Sequence, residues 1–335
     1  MISFASWSVL TVDFLIVFFL AFGGITLAAL LHLVNAKWRF DVRFLTVSFF
    51  SLYPLAFVLL LILLWGGKTT FPWVTSSEPR PFWNNLLFLS IRDVAAFIVI
   101  GVLGTAFVKL QSIADRDPES KAAFRNVALL IPFAYVLFGT MFSWDFEMTL
   151  VPYWESSIYS IYFFVSNFGM FLSVCVSTIY FLNKSGSLTK PVGEYVYNYF
   201  AQMMLGFTIL WIYTFFAQYL IITYANLPEE TGRIFHMQYG NYGGLFWTFF
   251  FMKFVFPFAM LVFPYNRHNA GPILLVAASI TIGTWIERYT WISGTSNSAH
   301  MPMTSPFDIG VTAIVFGLAF MIVRTAMKRY KLIKA

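Results

Sequence analysis

The chain has 335 residues, of which 59% are apolar and only 11% charged, with a mean hydropathy of +0.74. Soluble domains carry about 25% charged residues, so the composition excludes a water-soluble globule and indicates an all-α, polytopic transmembrane helix bundle. One cysteine, Cys175, excludes an intrachain disulfide, a cysteine-rich zinc site and a cysteine-ligated iron–sulfur cluster, and no C-x-x-C-H for c-type haem occurs.

A spanning helix needs about 20 mainly apolar residues. Nine segments qualify in chain order: 8–34, 44–65, 86–109, 126–144, 157–182, 199–225, 244–264, 272–292 and 309–327. Breakers separate them: Gly66-Gly67, Pro79, Pro81, Pro118, Pro152, Gly186, Pro191, Pro228, Pro264, Pro302 and Pro306. No loop is long enough for a second domain, so 1–335 reads as a single integral membrane domain with a short basic tail, 328–335. No cleavable signal peptide is expected, since no Lys or Arg precedes Lys37 and the first apolar run is too long for one. Most of the 41 Phe should fill lipid-facing and interhelical space, and Trp and Tyr should favour the membrane interfaces.

The net charge of +6 arises from 21 Lys+Arg against 15 Asp+Glu. Nucleic acid is not the implied partner, because the bases fall in short loops and alternate by side. After the odd-numbered spans up to the seventh, and in the tail, lie Lys37, Arg39, Arg43, Lys109, Arg116, Lys121, Arg125, Lys184, Lys190, Arg267, Lys328, Arg329, Lys331 and Lys334, 14 in all. The other side has three: Lys68, Arg80 and Arg233. The positive-inside rule therefore predicts a non-cytoplasmic N-terminus and a cytoplasmic C-terminus. Seven acids (Glu78, Asp145, Glu147, Glu155, Glu229, Glu230 and Asp308) fall on the non-cytoplasmic side. They read either as a solvated face or as a docking or proton-collecting rim.

Ionisable groups inside spans are costly and usually face a bundle interior or a wet cavity. Seven qualify: Asp13, Arg92, Asp93, Lys253, Glu287, Arg288 and Arg324. Asp13 and Arg324 lie near helix ends and are expected to snorkel. Lys253 falls near mid-membrane, at about 1.5 Å of rise per residue, and Pro257 cannot donate to its carbonyl. It should face the interior, with a polar partner or water in reach, either as a structural ion pair or as a proton relay. Arg92-Asp93 and Glu287-Arg288 lie at similar depth with opposite charges available for cross-pairing, and are expected to belong to one polar cluster in the outer half of the bundle, as a charge clamp or a polar pocket. Ser279, Gly283 and Glu287 share one face of the eighth span, a small-and-polar stripe suited to close helix packing. For acid–base chemistry near the non-cytoplasmic surface the candidates are Asp93, Asp145 and Glu287. Of the four histidines only His32 lies in a span, which argues against bis-histidine haem, and no nucleotide-binding, zinc-protease or serine-hydrolase motif is present.

Several stretches resemble a known family. Arg267-His268-Asn269, with Leu274, Ala277-Ala278 and then Gly283-Thr284-Trp285-Ile286-Glu287-Arg288-Tyr289, resembles the R-x-N…W-x-E-R-[FY] signature of the NrfD-like membrane subunits of polysulfide reductase and its relatives. Here no proline directly follows Asn269; the nearest is Pro272. Ala36-Lys37-Trp38-Arg39, Leu89-Ser90-Ile91-Arg92, Ser143-Trp144-Asp145, Pro152 through Tyr159 and YTFFAQYLIITYANLPEE (Tyr213 to Glu230) are similar to segments of the ActF branch of that family, found in alternative complex III. The resemblance covers about residues 20 to 290. Glu287-Arg288 looks more like the quinol-binding sister branch, and members of the ActF branch are usually longer, with ten spans.

The resemblance implies two four-helix bundles plus one peripheral helix in a bacterial inner (cytoplasmic) membrane. It implies a subunit of a respiratory quinol:cytochrome c oxidoreductase that contributes a proton path or a quinone-site environment for menaquinone or ubiquinone. Haem and iron–sulfur centres are then expected only in partner subunits, alongside an NrfD-like sister subunit, a cytochrome c subunit and lipid. Whether the chain counts as part of an enzyme follows from that setting alone. The alternatives are a stand-alone transporter or channel, suited by Pro54, Pro132 and Pro257 within spans, and a purely structural membrane subunit.

Overall fold

The computed structural model describes residues 3–76, 82–114, 117, 120–151, 154–295 and 300–334. Glu78, Pro79, Arg80, Pro81, Arg116, Pro118, Pro152, Tyr153 and Ala335 from the readings above lie outside the described residues. Among those described, nine helices are long and apolar enough to cross a membrane: α1 (Phe4–Leu33), α2 (Arg39–Trp65), α3 (Leu86–Ile113), α4 (Ser120–Leu150), α5 (Tyr159–Lys184), α6 (Glu194–Ala225), α7 (Gly243–Leu261), α8 (Ala270–Ser293) and α9 (Pro306–Arg329). They sit on the nine predicted segments, and most run a few residues further, because polar and charged residues extend a helix beyond its apolar stretch. The chain is a multi-span membrane protein.

Helix ends follow local chemistry. Ser3, Asn85 and Ser305 each accept a backbone N–H three residues on, capping α1, α3 and α9. Asn226 closes α6 in the left-handed conformation (φ 48°), and Pro228 opens a short surface helix, Pro228–Tyr239, that hydropathy alone did not indicate. The three internal prolines act differently. Pro132 is carried within α4, Pro54 follows a 3-10 turn at Phe49–Leu52, and Pro257 follows a π-helical segment, Phe251–Val255.

α1 is the hub, packing against α2, α4, α5, α8 and α9. Gly24 permits this: a Cβ there would stand 2.3 Å from the Thr46 carbonyl oxygen of α2. α1 to α4 form one bundle and α5 to α8 the second, with α9 lying outside against α1 and α2. The first bundle is filled by phenyl rings, Phe14, Phe18, Phe97, Phe142 and Phe146 meeting at 4.8–6.3 Å. In lipid the drive for helix association is such close packing rather than water expulsion. The second bundle holds the larger buried group of charged and polar side chains. Beyond α9, Ile333 pairs with Leu188 in an isolated bridge, so the basic tail folds back onto the loop after α5.

Candidate functional site

The π-helical turn sets Lys253 deep in the second bundle, 3% exposed. It widens the helix, and the carbonyl of Met252 takes an outside partner, the Ser279 hydroxyl at 2.7 Å. Four residues on, Gly283 lets α8 approach: a Cβ there would stand 3.0 Å from both Lys253 Cγ and Met252 Cβ. Glu287 continues the same face. The Ser279, Gly283, Glu287 stripe thus seats α8 against the broken turn of α7.

Lys253 has three N–H groups and meets three acceptors: Ser166 Oγ at 2.6 Å, Thr284 Oγ1 at 2.8 Å and Glu287 Oε2 at 2.9 Å. Glu287 in turn accepts from the Tyr162 hydroxyl, from Ser166 at 2.5 Å and from Trp211 Nε1 at 2.8 Å. Arg288 lies 3.2 Å from Glu287 and donates to Glu147 Oε2 at 2.6 Å, and Tyr159 also donates to Glu147. The chain of charge therefore runs Lys253, Glu287, Arg288, Glu147, from mid-bundle toward the end where Phe4 begins α1.

At that end the surface helix closes the site. Its Arg233 donates to the carbonyls of Glu147 at 2.8 Å and Trp291 at 2.9 Å, and its guanidinium lies 4.4 Å and 5.0 Å from the Trp154 and Trp291 rings. Burial pulls Arg233 down to about 10, which leaves it charged at neutral pH.

A second polar group lies in the first bundle. Arg92 bonds Asp145 bidentately, with Nε to Oδ2 at 3.0 Å, donates to the Trp83 carbonyl at 2.9 Å, and stacks 3.9 Å from the Trp83 ring. Trp83 Nε1 donates to the same carboxylate at 2.9 Å. Asp93, fully buried, faces Asp145, and no donor among the described residues reaches either of its oxygens.

The expected pairing of Arg92-Asp93 with Glu287-Arg288 is not what forms. Three of the four take partners elsewhere: Arg92 takes Asp145, while Glu287 takes Lys253 and Arg288 takes Glu147. The two groups are linked along the chain, since Asp145 and Glu147 are two residues apart at the end of α4.

Two further expectations are corrected. Asp13 does not snorkel: it is fully buried and accepts from Trp285 Nε1 at 2.8 Å and Thr312 Oγ1 at 2.9 Å, tying α1 to α8 and α9. The seven-acid face is not a uniform solvated rim either. Asp145, Glu147 and Asp308 are fully buried, with Asp308 bonded to Ser305 and His300, whereas Glu155 and Glu229 are exposed. Arg324 is exposed, as snorkelling requires. The loop motif Arg267-His268-Asn269 supplies caps, Arg267 donating to the Leu261 carbonyl at 2.6 Å.

Tyr159, Tyr162, Ser166, Trp211, Arg233 and Trp291 enter the site without having been picked out from the sequence. Tyr159, Tyr162 and Ser166 recur at i, i+3 and i+7 on α5, a polar stripe that signals a buried face. Trp211 and Trp291 had been expected at the interfaces. Here they line the buried site, each with its N–H donated, Trp291 to Tyr162 at 2.9 Å. The space beside Lys253, lined by Ser166, Met204, Trp211 and Ile280, is about 10 Å³, no more than one water needs. Neither the family models nor the curated proteins compared with this chain match it.

Proposed function

We propose that this chain is an integral membrane subunit of a bacterial respiratory complex that oxidises quinol, of the alternative complex III kind, and that its second bundle carries protons. The observation that carries the proposal is the buried sequence Lys253, Glu287, Arg288, Glu147. It begins at a broken turn of a spanning helix and ends beneath a charged surface helix. Ammonium, carboxylate and phenol groups linked at hydrogen-bond distance are the components of a proton relay. The family resemblance supplies the setting, with haem and iron–sulfur centres expected in partner subunits. The aromatic filling around Lys253 favours a proton role over a quinone pocket, because a volume near 10 Å³ admits no ring.

Gentle solubilisation of native membranes, then native electrophoresis and mass spectrometry, tests the setting. Co-migration with iron–sulfur, cytochrome c and sister membrane subunits is expected, and migration as a lone chain overturns it. One observation favours a purely structural role: every N–H of Lys253 is already satisfied within the protein. Lys253→Met in the intact complex separates the two. Loss of proton movement with quinol oxidation retained supports the relay, and unchanged proton movement leaves Lys253 a clamp.

A further inference from the structure

α9 packs on α1 and α2 but stands off from α5 and α8, leaving a wedge at the end of the bundle where α9 finishes. This crevice holds about 900 Å³, near the top of the range of about 300–1,000 Å³ typical of ligand pockets. Its buried lining is apolar, with Leu20, Leu52, Ala319 and Met327, and it opens sideways between the exposed side chains of Phe181, Ile282 and Phe320. Such an opening faces the hydrocarbon of a bilayer.

The mouth has the opposite character. Arg324 and Lys328, one turn apart on α9, and Lys334 of the tail all line it, and all three are exposed. No carboxylate lines the crevice among the described residues. The tail is held in place rather than trailing: Lys334 N–H donates to the Ser187 carbonyl at 2.8 Å, and Thr189 N–H to the Leu332 carbonyl at 2.9 Å. Ser185 and Ser187, whose hydroxyls lie 2.7 Å apart, add polar groups to the same rim. A snorkelling arginine alone would account for Arg324. It does not account for three converging cations and two hydroxyls around an apolar slot.

We propose that this crevice binds one anionic phospholipid, its acyl chains in the wedge and its phosphate among Arg324, Lys328, Lys334 and the serine hydroxyls. Apolar depth and a basic mouth between spanning helices are complementary to such a molecule and to no neutral lipid. Because α1 and α2 supply one wall and α5 and α8 the other, the lipid seals the seam between the two bundles. The proposal is independent of any respiratory role.

The test is native mass spectrometry of the purified full-length chain, or of its complex, in mild detergent. Dioleoyl phosphatidylglycerol and dioleoyl phosphatidylcholine, identical in chains and different in charge, are titrated separately. One tightly retained phosphatidylglycerol per chain is expected, with at least tenfold weaker phosphatidylcholine binding. Each cation near a membrane surface favours an anionic lipid about fivefold. R324Q, K328Q and K334Q combined should therefore abolish the preference while leaving the fold intact, since all three side chains are exposed. Thr281→Phe, which fills the slot, should remove both lipids. Equal retention of the two lipids overturns the proposal. So does a triple variant with unchanged preference, or displacement of the lipid by a neutral long-chain quinone at equal concentration.

Discussion

Removing either partner of the Lys253–Glu287 pair strands a charge where water does not reach, and the two removals are not equivalent. Without Lys253, Glu287 keeps Arg288, Tyr162, Ser166 and Trp211. Without Glu287, Lys253 and Arg288 remain together with only Glu147 to offset them. Breaking a buried pair costs about 3–5 kcal/mol. Glu287→Gln should therefore lower the thermal midpoint of the detergent-solubilised protein more than Lys253→Met. The double variant should fall short of their sum, because the second removal relieves the charge the first one strands.

The first-bundle acids divide in the same way. Asp145 holds Arg92 bidentately, so Asp145→Asn should cost about 3 kcal/mol. Asp93 accepts from no donor and holds no cation among the described residues, so Asp93→Asn breaks no ion pair and should leave the midpoint unchanged or raise it. Thermal unfolding of the two variants side by side checks the contrast. Equal losses would show that Asp93 supports the bundle as much as Asp145 does.

The decisive elements are α7 and α8, because a broken turn on one is fitted by a small residue on the other. Gly283→Ala needs only a few tenths of an ångström from Lys253 and Met252. Gly283→Leu needs far more and should cost about 1–3 kcal/mol through overpacking. Ser279→Ala leaves the Met252 carbonyl without its hydroxyl partner and should cost about 1–3 kcal/mol. Thermal unfolding measures both, and amide hydrogen exchange along Phe251–Val255 should quicken in the serine variant. No change there would mean that the π turn is held by α7 alone.

Across the whole molecule the ion pairs join the two bundles. Glu147, at the end of α4 in the first bundle, holds Arg288 of α8 in the second and lies two residues from Asp145, which holds Arg92. Arg233 of the surface helix donates to the Glu147 carbonyl at the same place, so the charged groups of the two bundles meet at one end of α4. The surface charges bear on orientation: a reporter fused after Lys334 should be active on the cytoplasmic side and one ahead of Phe4 on the opposite side. Activity in the reverse sense would refute the reading of the 14-to-3 asymmetry.

The nine spans and the in-span charges were legible in the sequence because hydropathy and ionisable side chains are local properties of consecutive residues, whereas the helix ends ran past the apolar stretches by up to six residues. Lys253 facing the interior was legible for the same reason, since lipid offers an ammonium no other place. Partner choice was not. Tyr162 meets Glu287 across 125 residues and Arg288 meets Glu147 across 141. Either arginine could have taken either acid on the evidence of depth alone. Which acid each cation takes depends on helix rotation, on the approach that Gly283 allows and on the surface helix that closes the site. Those are properties of packed helices, and only the tertiary structure decided them.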